Sequence, residues 1–162
     1  MDDERHPIVS SPEKPGLLSS RGEMNMTGYW QDDEETAKVM QDGVIYSNDI
    51  AYFDTDGDII LLGRKGDVIN VGGAKVSPDE IEDAAKKISG VVDCGVIPIP
   101  DPMKGSVPKL LVQMEPGKAF DPVLIRNCLA RTLEPFKVPA QIVEIEKIPR
   151  SFNGKLLRRE LH

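Results

Sequence analysis

The run Ser77-Pro78-Asp79-Glu80 constrains the fold of this 162-residue chain more than any other. A hydroxyl, a proline and two acids are the order in which a helix begins. Ser77 suits the N-cap, and Pro78 suits the first helical position, where a missing N–H is no loss. Glu80 stands three residues after Ser77, the spacing of a capping box. Ile81, Ala84, Ala85 and Ile88 then fall at i, i+3, i+4 and i+7, one apolar stripe for one core face. Just before this helix, residues 67–71 read as a short strand that returns over 74–76 across Gly72-Gly73.

Downstream, residues 91–97 and 109–115 are apolar and strand-like, joined by a proline-rich loop over 98–108. Asp121-Pro122 opens a second helix with the stripe Ile125, Cys128, Leu129, Thr132 and Leu133, and Pro135 and Pro139 stop it. A third strand covers 141–145, and a last short helix begins near Lys155. The order from residue 67 is hairpin, helix, strand, strand, helix, strand, helix. That is an α+β domain with helices packed on a small sheet.

The upstream part is β-rich. Residues 1–20 read as a loop or frayed edge, and 22–30 as irregular. Asp32-Asp33-Glu34-Glu35 opens a short helix to about Met40, with its acids at the positive end of the helix dipole. Strands over 44–50 and 58–62 flank Asp54-Thr55-Asp56-Gly57. These alternating acids are similar to a calcium loop, but glycine comes fourth instead of sixth and Lys65 stands where the bidentate Glu belongs. The segment reads as a hairpin turn.

Charge limits the partners. Twenty-seven acidic and twenty basic residues leave a net charge of −7, so no global positive field draws a nucleic-acid backbone. A local basic cluster, Arg150, Lys155, Arg158 and Arg159, suits a phosphorylated small molecule. Cys94 and Cys128 lack CxxC spacing and read as buried reduced thiols, with no metal site. No apolar run reaches the ~18 residues of a membrane span, and the N-terminus lacks an apolar signal core. The cytoplasm is the expected compartment. Near the C-terminus, Asn153-Gly154 favours a tight turn that holds Lys155 at a loop tip.

Several segments now stand in order: Gly28-Tyr29-Trp30, Ser47-Asn48-Asp49, the glycine-punctuated run from Gly63-Arg64 to Gly72-Gly73, Pro78-Asp79-Glu80-Ile81-Glu82, and Asn153-Gly154-Lys155. From about Gly16 to Leu161 the chain resembles the C-terminal third of the AMP-forming acyl-CoA synthetases, of the adenylate-forming superfamily. The resemblance implies a boundary near Gly66. Residues 1–65 would be the distal end of a large N-terminal domain, and 66–162 a small mobile domain. It also implies a missing partner, the rest of the large domain, carrying the phosphate loop, the magnesium ligands and the acid pocket. The chain would then be part of a longer or divided protein, inactive alone.

The resemblance further implies roles. Asp49 would accept hydrogen bonds from the ribose hydroxyls of ATP, with Ser47 and Asn48 replacing the usual Thr and Gly. Arg64 would touch the nucleotide. Lys155 would be the lysine of adenylation. Gly66 would be the hinge, or Asp67 if the register shifts by one. Gly72, Gly73 and Lys75 would line the path of coenzyme A. Asn70 stands where many relatives carry lysine, which weakens the case for a second catalytic lysine. The expected activity is acid–CoA ligation through acyl-AMP. The alternatives are adenylation for a carrier protein and a non-catalytic interaction module.

Overall fold

In the computed structural model, which describes residues 1–162, the chain divides into two units, Met1–Gly66 and Asp67–His162. The first holds β1 (Gly16–Arg21), α1 (Asp33–Val39), β2 (Met40–Gln41), β3 (Val44–Phe53) and β4 (Ile59–Arg64). Strand β3 is the hub, antiparallel to β1, β2 and β4. Strand β1 lies in the stretch read as loop from its composition. Its order comes from pairing with β3, a long-range partner that local propensity does not see. Helix α1 begins as expected: Asp32 accepts from the Glu35 N–H at 2.9 Å. In the β3–β4 turn, one oxygen of Asp54 accepts from the N–H groups of Asp56 and Asp58, both at 2.9 Å, which commits that carboxylate to the turn.

The second unit holds β5 (Ile69–Val71), β6 (Ala74–Val76), α2 (Pro78–Lys86), β7 (Val91–Asp101), β8 (Gly105–Met114), α3 (Pro122–Leu129) and β9 (Gln141–Glu144), then one 3₁₀ turn at Arg158–Glu160. Strand β8 pairs antiparallel with β7 along one edge. Its other edge takes β5 at Gly105 and β9, in parallel, from Lys109 to Val112. Two small sheets and three α-helices make the mixed fold read from the sequence.

Alternation along β8 splits the core in two. Leu110 and Val112 join Ile81, Ala85, Ile125 and Leu129 beneath the helices. Leu111 points the other way, to Ile148 and Leu161, with Leu156 packed against them. The C-terminal segment therefore crosses the face of the sheet opposite the helices.

Four expectations are corrected. The stretch 98–108 is not a loop but the end of the β7–β8 ribbon, with Pro98 opposite Pro108. Neither has an N–H, so they form a non-hydrogen-bonded pair, the position an antiparallel ladder leaves for such residues. The capping box is absent: Ser77 makes no side-chain cap, and Glu80 turns to Lys137 at 2.9 Å. The terminal helix is only the single 3₁₀ turn, beginning three residues after Lys155. Cys128 is half-buried; only Cys94 is buried.

Strand β7 is an edge strand, yet its outward N–H groups are not free. Those of residues 94, 96, 98 and 100 face away from β8. Cys94 N–H donates to Asp93 at 2.9 Å and Val96 N–H to Glu82 at 2.8 Å, while Pro98 and Pro100 have none. The Val96 carbonyl accepts from Arg158 at 3.0 Å.

Candidate functional site

The expected site residues fall in both units. In the first, β3 and β4 place Asp49 directly opposite Arg64. Arg64 Nε lies 3.1 Å from an Asp49 oxygen, and its Nη1 donates to the Ser47 carbonyl at 2.7 Å. Asn48 sits at φ 60°, the left-handed region. Asparagine tolerates that conformation better than most residues, so the turn forms without glycine. Ser47 Oγ accepts from Asp49 N–H at 3.2 Å and donates to the Leu18 carbonyl at 3.1 Å, fixing the turn to β1. The result is a carboxylate with a forked cation beside it, able to accept from hydroxyls and to face a phosphate.

Gly66 lies between two tethered residues. Lys65 N–H donates to the Asn48 carbonyl at 2.8 Å, and its ammonium pairs with Asp3 at 2.8 Å. On the other side, Asp67 lies 3.8 Å from Arg158 Nε. Gly66 itself has no positive φ, and a Cβ there would meet nothing within 4 Å. This conformation does not demand glycine.

In the second unit, Gly72 and Gly73 form the two-residue turn between β5 and β6, at φ 59° and 99°. Positive φ at both positions is the geometry that joins a tight hairpin without splaying its strands. Asn70 accepts from Gly73 N–H at 3.0 Å, so its amide serves the turn. Lys75, opposite Asn70, is exposed, as are both glycines. The hairpin presents bare backbone beside Lys75, with Lys104 against Gly72, whose N–H donates to the Lys104 carbonyl at 2.8 Å.

Lys155 ends a closed loop. Ser151 N–H donates to the Lys155 carbonyl at 2.8 Å, Gly154 N–H to the Ser151 carbonyl at 2.8 Å, and Lys155 N–H to Ser151 Oγ at 3.1 Å. Gly154 takes φ 81°, as the Asn-Gly signal implies. The Lys155 side chain is exposed and makes no ion pair, and Phe152 on the same loop is fully exposed.

The expected phosphate-binding cluster does not assemble. Arg150 forks onto both oxygens of Asp93, each at 2.6 Å, and donates through Nη1 to the Gly154 carbonyl at 2.8 Å. Hydrogen bonding from Arg150 holds the Asp93 carboxyl below its ordinary range. Arg158 contacts Glu82 and Asp79 on α2. Burial pushes the Glu82 carboxyl up, although Arg158 and the Val96 N–H pull the other way. Both arginines are thus structural cations, and Lys155 and Arg159 are the members left facing water. Asp93, and the role of Glu82 as a partner of Arg158, were missed in the sequence. Their partners lie 57 and 76 residues away, and no local pattern links them.

Burial pushes the Cys94 thiol up to about 12, which makes it inert. No group of three or more His, Cys, Asp or Glu residues comes together that could hold a metal ion. No helix is long and apolar enough to cross a membrane.

Comparison with known proteins bears on this arrangement. Residues 80–155 match the AMP-binding enzyme C-terminal domain. A long-chain-fatty-acid–CoA ligase of Salmonella typhimurium is 37% identical over 161 residues, 99% of this chain and 28% of the ligase. The chain therefore spans less than a third of that relative. The o-succinylbenzoate CoA synthetase of Bacillus subtilis, solved with its acyl-adenylate intermediate, superposes with a TM-score of 0.81 at 26% identity, over 93% of this chain and 31% of that one. An amide bond synthetase of Marinactinospora thermotolerans superposes with a TM-score of 0.79 at 28% identity, over 99% of this chain and 32% of its own.

Proposed function

We propose that the chain works as the C-terminal part of an acid–CoA ligase, a reading supported by the match of residues 80–155 to the AMP-binding enzyme C-terminal domain. Such an enzyme converts a carboxylic acid and ATP to acyl-AMP and pyrophosphate, then passes the acyl group to the thiol of coenzyme A. The observation that carries the reading is Lys155, an unpaired ammonium on an ordered loop inside the matched region. An anionic carboxylate attacking an anionic α-phosphate needs a cation between them. At ~4 Å and an effective dielectric near 20, one such charge pair amounts to about 4 kcal/mol. Its loss slows the step by on the order of a thousandfold.

Asp49 would accept from the ribose hydroxyls, since vicinal hydroxyls need an acceptor with several lone pairs. Arg64 beside it would face the nucleotide with its remaining donors. Gly66 is the hinge we favour over Asp67, because Asp67 is held by Arg158 while Gly66 has no tether of its own. Gly72 and Gly73 would let the pantetheine arm approach bare backbone, with Lys75 near the nucleotide end of coenzyme A.

The partner in this reading is the remainder of the large domain, bringing the phosphate loop, the acid pocket and the magnesium ligands. The exposed apolar side chains of Trp30, Phe53, Ile59 and Leu61 in the first unit support it. The chain alone is expected to be inactive, and the complete enzyme is assigned to the cytoplasm.

The test is to combine the chain with a large domain and assay each half-reaction. Lys155→Ala is expected to cut ATP–pyrophosphate exchange about a thousandfold and to spare thioester formation from supplied acyl-AMP. Equal loss in both steps would refute the assignment. A second reading keeps adenylation but changes the acceptor to a carrier protein. The likeness to an amide bond synthetase supports variety in the acceptor among relatives. Acyl transfer to a carrier and none to coenzyme A would select it.

A further inference from the structure

Lys155 sits on a loop that is closed by its own hydrogen bonds, which do not tie it to the sheet. Besides the Ile148 N–H, which donates to Gln113 Oε1 on β8 at 3.0 Å just upstream, two contacts attach that loop to the sheet. Leu156 packs beside Leu111, Ile148 and Leu161, an apolar contact that resists separation without fixing direction. The directional contact is Arg150. One planar guanidinium lies on both oxygens of Asp93, in β7, and also donates to the carbonyl of Gly154, the residue before Lys155.

We propose that Arg150, seated on Asp93, is a positioning residue for Lys155. It sets the direction in which the ammonium is delivered and touches no reactant itself. The inference rests on Lys155 being the lysine of adenylation.

The chemistry of the two side chains supports the division of labour. Both oxygens of Asp93 are engaged, and Nε, Nη1 and Nη2 of Arg150 each have a partner, so this guanidinium is committed to the fold. Lysine could not replace it. An ammonium has no planar fork, and from one point it cannot span a carboxylate and a carbonyl in these directions. Lys155 has the opposite profile, a single compact charge on a long stem with no partner. A long stem amplifies small errors at its root. A misplacement of about 1 Å at a reacting centre can cost about a hundredfold in rate.

Two variants test the brace, Arg150→Lys and Asp93→Asn. In the 162-residue chain, amide hydrogen exchange at Ser151, Gly154 and Lys155 is expected to speed up about tenfold in each, while Leu110 and Val112 in β8 keep their protection. Unchanged exchange at the three loop amides would overturn the proposal. With a large domain supplied, each variant is expected to lower kcat for adenylation by about tenfold or more, with KM for ATP within about twofold and thioester formation from supplied acyl-AMP unchanged. The double variant should cost no more than the worse single one, because the two residues act as a unit. Equal losses in both half-reactions would overturn it as well. If Lys155→Ala left adenylation intact, the reading of Lys155 would fall, while the exchange data would still decide whether Arg150 orders the loop.

Discussion

The two units hold their side chains in opposite ways. The second encloses a core on both faces of its sheet, with Ile81, Leu110, Val112, Ile125 and Leu129 on one side and Leu111, Ile148 and Leu161 on the other. The first buries only Ile50 and Ala51 among its apolar residues, and it leaves Phe53, Ile59 and Leu61 together on one sheet face, each more than half exposed. Backbone pairing is good in both. What differs is whether anything covers the sheet. Hydrogen-bonded ladders set a shape, but buried apolar area supplies most of the stability. The second unit is therefore a domain in the energetic sense, and the first leaves much of one sheet face exposed.

The largest test of this contrast separates the units. Residues 67–162 expressed alone should unfold in one cooperative transition, whereas 1–66 alone should show little cooperative melting by circular dichroism. A sharp transition in 1–66 would break the contrast. Core truncation sharpens it next. Leu110→Ala should cost about 3–4 kcal/mol in denaturant unfolding of the second unit. Ile59→Thr in the first should cost under about 0.5 kcal/mol. The smallest effect compares two arginines. Arg158 is 17% exposed against a Glu82 that is 7% exposed, while Arg64 is 61% exposed. Arg158→Ala should destabilise by about 3 kcal/mol, because it leaves a buried carboxylate unpaired. Arg64→Ala should cost less than about 1 kcal/mol. Similar losses at both positions would mean that burial is not what separates the units.

What was legible in the sequence follows the range of each signal. Helices α2 and α3 and the Gly72-Gly73 turn are written within a few residues: Pro78 and Asp121-Pro122 at the starts, apolar stripes behind them, two glycines at the hairpin. The mixed α+β class follows from their order. Strand β1 was not legible, because Gly16–Arg21 becomes a strand only beside β3. The prolines of β7 and β8 misled for a related reason. A proline weakens a strand reading until its register is known, and here the register puts each one where no N–H is needed. Ser77 and Glu80 had the right spacing for a capping box, but Lys137 lies 57 residues further on and takes the glutamate away. The basic cluster near the C-terminus was visible as charge, yet its division into two structural arginines and two exposed cations, Lys155 and Arg159, depends on Asp93 and Glu82 arriving from a distant strand and helix.

The outer edge of β7 carries one more implication. Sheets of different molecules join by offering each other rows of unused N–H and C=O groups. From Cys94 to Pro100 along β7, every outward N–H is either occupied by a carboxylate or replaced by proline. That stretch offers no free N–H to a strand from another molecule. When the uncovered first unit makes the chain prone to association, the resulting assemblies should be held by apolar side chains, dispersed by mild denaturant, and not seeded into fibrils by this edge.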